Sequence, residues 1–174
     1  MAHWHRPRSA SRRFAIAGAA SLVALLLLGT PESAPTATKK TVFAAVASRS
    51  VPVDEVSLAE LRQMFLLEKR FWKKGQPLVA LYPASGSATR AFVLERLCRS
   101  TEGEMRHMIL EKMYRGEIDL APKVVNSDTE AVSFIAAGRG LVAIVPADMV
   151  TGESIKVLRI DGRPPYAAGY ALAE

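Results

Sequence analysis

Apolar positions along this chain follow two rhythms, one marking strands and the other marking helices. Continuous or alternating apolar runs read as strands over Thr41 to Ala47, over Pro77 to Tyr82 with Leu78-Val79-Ala80-Leu81 as a buried-type centre, and over Leu141 to Val145, stopped by Pro146. Ile155 to Ile160 alternates apolar and polar residues, as a half-exposed strand does, and Asp161-Gly162 turns it. Lys123 to Val125 is a further short strand, and Ser48 to Val53 is extended. Between these runs the period lengthens. Leu58, Leu61, Met64 and Phe65 share one helical face behind the capping box Ser57-Leu58-Ala59-Glu60, in a helix ending near Leu67. A helix from about Ala88 to Cys98 presents Phe92, Val93 and Leu97 to the sheet. A second capping box, Thr101 to Glu104, opens a helix with Met105, Met108, Ile109 and Met113 as core filler, closed by Gly116. A third, Ser127 to Glu130, opens a helix with Val132, Ile135 and Ala136 inside and Gly138 or Gly140 beyond its end. Strands and helices alternate with the wholly apolar strands in the middle, which predicts an α/β layered domain. The tail from Pro164 to Glu174 is assigned no element.

Residues 1–37 stand apart from this pattern. Arg6, Arg8, Arg12 and Arg13 precede an apolar run from Phe14 to Leu28, then Gly29-Thr30-Pro31 and small residues up to Ala37, the layout of a secretory signal peptide. The run is shorter than the roughly 20 residues a spanning helix needs. Cleavage is expected after Ala34 or Ala37, leaving 38–174 as one domain. Ser11-Arg12-Arg13-Phe14 partly matches a twin-arginine signal, so the export route stays open between the general and twin-arginine pathways. Either route places the protein in the periplasm or outside the cell, with the membrane touched only through the leader if it is uncleaved. Removing the leader changes the charge. It holds four of the 23 basic residues and one of the 17 acidic ones, so the rest carries +3 rather than the +6 of the whole chain, giving little support to nucleic-acid binding. Cys98 is the single cysteine, which excludes an internal disulfide framework; it is expected to pack as a small hydrophobe. No histidines, cysteines and carboxylates share metal-ligand spacing, and no cofactor is expected.

The chemistry concentrates between Leu81 and Phe92. Pro83 stops the preceding strand, Ser85-Gly86-Ser87 is turn chemistry, and Ser87 is a good N-cap for the helix that follows. The unpaired N–H groups and positive dipole end of that helix suit an anion. Arg90, in the first turn, opposes the dipole unless something negative lies nearby. The candidate ligand-binding residues are therefore Ser85, Gly86, Ser87, Ala88, Thr89 and Arg90, with a plain strand-to-helix connection as the alternative. The basic run Lys69 to Lys74 reads as a solvated loop with Phe71 and Trp72 tucked into the core, or else as a docking surface for an anionic partner.

In order and spacing, these pieces resemble one lobe of a type II periplasmic binding protein, specifically the phosphate-binding proteins that feed ABC transporters. The match runs from Val42 to Ile160. It rests on the Leu58 to Phe65 helix, the Phe71 to Gly75 loop, Ser85-Gly86-Ser87 ahead of Arg90 and Phe92, Tyr114-Arg115-Gly116, Pro122, the capped helix from Asp128, and the Gly140 to Ile144 strand. The resemblance implies a three-layer αβα sandwich with a mixed sheet, and an inorganic phosphate or similar oxyanion held by the Ser-Gly-Ser turn. The arginine and aspartate that larger phosphate binders carry before the turn are replaced near Leu81 and Pro83, and Ala143 and Ile144 replace a glycine and a tyrosine. Selection of phosphate over sulfate is therefore not implied. The second lobe is not represented, so binding is expected to be weak. An envelope or transporter protein is the implied partner. The competing reading is a ligand-free envelope interaction module using Phe71 and Trp72. Hydrolysis ranks last: Pro83 stands where a nucleophile elbow has glycine, and His107, the only histidine after the leader, is expected at the edge of a packed helix face.

Overall fold

The computed structural model describes residues 41–173; the leader expected over 1–37 lies outside them. A four-stranded mixed sheet organises this part of the chain, in the spatial order β3 (Val79–Ala80), β4 (Leu141–Pro146), β1 (Phe43–Ser48), β5 (Ile155–Val157). Strand β1 (Phe43–Ser48) is buried along its whole length because both its edges and both its faces are covered. On one edge it pairs antiparallel with β4 (Leu141–Pro146), from Phe43 opposite Pro146 to Ala47 opposite Val142. On the other it pairs antiparallel with β5 (Ile155–Val157). Strand β3 (Val79–Ala80) adds in parallel to the free edge of β4.

Strand alternation divides the interior in two. Phe43, Ala45 and Ala47 of β1, with Val142 and Ile144 of β4, point to the face covered by α1 (Leu58–Phe65) and by the helix that starts with α2 (Ala88–Phe92). Ala44, Val46, Ala143 and Val145 point the other way, onto Ala131 and Ile135 of α4 (Asp128–Ala137). Helices on both faces of a mixed sheet make the three-layer sandwich. Helix α2 continues as a wider π-helical stretch, Val93–Cys98, which ends at Arg99 in the left-handed region (φ 53°). Cys98 is buried there, and burial pushes its thiol up to about 11.

The caps formed largely as their residue types dictate. The Ser57 and Glu60 pair and the Thr101 and Glu104 pair each close a reciprocal capping box, opening α1 and α3 (Glu102–Tyr114). The third box does not close. Ser127 Oγ accepts the Glu130 N–H, but the Glu130 carboxylate turns to Asn126, taking both its backbone and its side-chain N–H.

Several expectations are corrected. Strand β3 is two residues long and lies at the sheet edge, so Val79 is exposed instead of buried. Lys123 to Val125 reduces to a bridge between Val124 and Tyr82. Ile155 to Ile160 is two strands, because the chain changes sheets at the buried Leu158. Its N–H donates to Ala45 O, and beyond it β6 (Arg159–Ile160) pairs in parallel with β2 (Glu55–Val56), inside a stretch read only as connection. In α3 only Met105 is buried; Met108 and Ile109 flank the core, while Met113 and His107 are exposed. Ala136 is exposed as well. Of the two loop aromatics, Trp72 enters the core and Phe71 stays outside, 55% exposed. The unassigned tail folds back on β1: Phe43 N–H donates to Leu172 O, and Tyr170 and Leu172 are buried. Among the described residues no helix is long and apolar enough to cross a membrane.

Candidate functional site

The turn between β3 and α2 is built by three local devices. Gly86 takes φ +76°, a conformation L side chains rarely adopt, and an added Cβ there would meet nothing within 4 Å, so backbone conformation alone accounts for glycine at this position. Ser87 N–H and Oγ both donate to Ala84 O, at 3.1 and 2.8 Å, which locks the turn. Ser87 Oγ in turn accepts the N–H of Arg90 at 3.0 Å and starts the helix. The N–H groups of Ala88 and Thr89 belong to the first turn and have no intrahelical acceptor.

The turn opens onto a cavity of about 420 Å³ lined by Ser85, Gly86, Ser87 and Arg90 on one side and by Ser100, Thr101 and Glu102 on the other. Ala88 is exposed and Thr89 is buried, and neither lines the cavity. Thr89 Oγ1 donates to Asp128 Oδ2 at 2.9 Å, tying α2 to the first turn of α4. Arg90 is buried, and its guanidinium forks onto Glu102, with Nε and one terminal nitrogen at 3.0 and 2.8 Å from the two carboxylate oxygens. Its Cζ lies 5.2 Å from the ring centroid of Tyr82. The negative group demanded by an arginine in a helix's first turn is thus a carboxylate of the next helix. Glu95 also lines the cavity, so two carboxylates face it against one arginine whose charge is already matched.

Six candidate residues from one stretch therefore divide by role. Ser85, Gly86 and Ser87 offer a turn and a helix start to the cavity, Ala88 projects to solvent, and Thr89 and Arg90 bind the turn to α4 and α3. Sequence reading missed Glu102 and Asp128 as partners. The one available signal was Arg90 itself, an arginine at odds with its own helix dipole.

The Arg90 hydrogen bond holds the Glu102 carboxyl below its ordinary value of 4.5. A group lowered in the folded state stabilises above its unfolded pKa, and that contribution is lost as pH falls through the folded value. Because the Glu102 side chain is 44% exposed, Glu102→Gln is expected to cost about 1 kcal/mol or less at neutral pH. Melting temperature against pH should show a shallower acid-side decline in the variant; an unchanged slope would mean the pair does not contribute.

No histidine lines the cavity, and Ser87 Oγ is engaged on both its donor and acceptor sides. Among the described residues no group of three or more histidines, cysteines and carboxylates could hold a metal ion.

The sequence matches no protein-family model and no curated protein. Solved structures do resemble it. One is a protein from Clostridium perfringens assigned as a phosphate ABC transporter substrate-binding protein and solved with bound phosphate; its TM-score is 0.58 at 14% identity, covering 71% of this chain and 46% of that one. An ABC-type phosphate transport receptor from Vibrio cholerae gives 0.61 at 18% identity, covering 77% of this chain and 54% of that one. PstS from Borrelia burgdorferi gives 0.61 at 12% identity, covering 78% and 55%. The fold, a three-layer αβα sandwich around a mixed sheet, resembles part of each of these structures, and the chain spans about half the length of the structures it matches.

Proposed function

We propose that this chain is an exported substrate-binding-type lobe, comprising residues 38–174 behind a cleaved leader, that holds an oxyanion such as phosphate weakly at Ser85 to Arg90. The observation that carries the reading is the Ser87-capped helix start beside Gly86, whose first-turn N–H groups have no intrahelical acceptor. In this arrangement the backbone at Ala88 and Thr89 and the Ser85 hydroxyl are the ligand's donors. Arg90 shapes the turn rather than meeting the ligand with a free charge. Glu95 and Glu102 across the cavity weaken any anion's binding. Affinity is therefore expected in the millimolar range with little preference between phosphate and sulfate, and titration calorimetry with both anions measures it.

Ala88→Glu provides the sharper test. A glutamate at the first helical position suits the dipole and leaves the fold intact, while placing a negative charge beside the first-turn N–H groups that would hold the anion. Phosphate heat should vanish with the melting temperature unchanged or slightly raised. Unaltered phosphate binding in this variant would remove the anion from this turn.

The Arg90–Glu102 fork favours a second reading, a lobe that kept the fold as an envelope interaction module and uses its arginine as an internal tie. Of the aromatic pair first considered for contact, Trp72 is buried and only Phe71 is accessible. Recovery of the same envelope partner by the parent and by Phe71→Ala would exclude contact through this loop.

A further inference from the structure

A second cavity, of about 480 Å³, lies between α1 and the π-helical stretch, and its electrostatics are the reverse of those at the Ser85 turn. Arg62 of α1 and Arg96 and Arg99 at the end of the π-helical stretch line it, against the single carboxylate of Glu68. None of the three arginines makes an ion pair among the described residues, whereas Lys69, Arg90, Lys112, Arg115, Lys156 and Arg159 all do. Arg62 is anchored, with one terminal nitrogen donating to Cys98 O at 3.1 Å, and its buried Nε has no acceptor among the described residues. Arg99 lines the cavity from the left-handed position that ends the π-helical stretch. Leu58, Leu66 and Leu97 supply an apolar wall.

We infer that this groove binds an organic phosphate monoester, with the dianionic phosphoryl group on Arg62, Arg96 and Arg99 and the apolar part of the ester against the leucines. Three guanidinium groups opposed by one carboxylate leave two positive charges, which match a dianion. The planar guanidinium fork suits phosphoryl oxygens. The inference does not rest on the Ser85 turn.

Phenyl phosphate is the probe, with inorganic phosphate and benzoate as comparisons, titrated into the protein by calorimetry. Phenyl phosphate is expected to bind more tightly than either, since phosphate lacks the apolar part and benzoate the second charge. Arg96→Glu, at an exposed position, should weaken it at least about tenfold. Arg99→Asn removes a charge while keeping a residue that tolerates the left-handed conformation, and should weaken it by a smaller factor. Thermal melts of both variants should overlay that of the parent. Ala88→Glu should leave phenyl phosphate binding unchanged, which separates the groove from the turn. No phenyl phosphate binding at millimolar concentration overturns the inference. So does binding that ignores both arginine variants, or binding abolished by Ala88→Glu instead.

Discussion

Trp72→Ala is expected to remove about 3–5 kcal/mol of stability, a large share of the roughly 5–15 kcal/mol that holds a domain of this size together. Trp72 is 3% exposed despite standing in the basic run Lys69 to Lys74, and it belongs to the main core. Its indole Nε1 donates to Gly140 O at 2.9 Å, and its backbone N–H donates to Gln76 O at 2.8 Å. The side chain therefore locks the loop ahead of β3 onto the residue that leads into β4. Truncation leaves a large cavity and frees that loop. Trp72→Phe keeps most of the volume, and Gly140 O still accepts the Val79 N–H, so about 1–2 kcal/mol is expected. Phe71→Ala, at the exposed neighbour, should stay within about 0.5 kcal/mol. Urea unfolding of the three variants would order them; a Trp72→Ala protein as stable as Phe71→Ala would show that this side chain is not core.

Gly140→Ala is expected to cost about 2–5 kcal/mol at a position that adds only a methyl group. Gly140 has φ +70°, and a Cβ there would lie 2.2 Å from the Pro77 carbonyl oxygen. Neither partner can yield cheaply, because the oxygen belongs to the backbone entering β3 and Gly140 leads directly into β4. Relief requires the two strands to part where they are joined, by Val79 N–H donating to Gly140 O at 3.1 Å. Since Trp72 holds the same carbonyl, the double variant should lose less than the two single losses combined. Full additivity in urea unfolding would mean the two positions act separately.

Much of this architecture was legible in the residues because it is locally determined. Ser57, Ser87, Thr101 and Ser127 each cap the helix their neighbours predict, and the apolar runs around Ala45 and Ala143 are the two central strands. What was not legible depends on partners distant in sequence. The Met105 to Met113 spacing marks a helix, but nothing in it reveals that the core ends beyond Met105, leaving Leu110 and Met113 facing water. Leu158 looks like one more residue of an alternating strand, yet it is where the chain passes from β1 to β2 as neighbour. At the candidate site the turn was readable and the charge balance was not. Arg90 reads as a cation awaiting an anion, and it is answered by Glu102, a residue whose own sequence context says only that it begins a helix.

The position of β1 bears on the timing of folding. The first strand of the domain to be synthesised takes its neighbours from β4 and β5, roughly a hundred residues later, and the backbone at Phe43 is closed by Leu172. Synthesis and closure thus run in opposite orders. A chain halted anywhere before Ile155 holds Phe43 to Ser48 with at least one bare edge, a short apolar ribbon open to pairing with other chains.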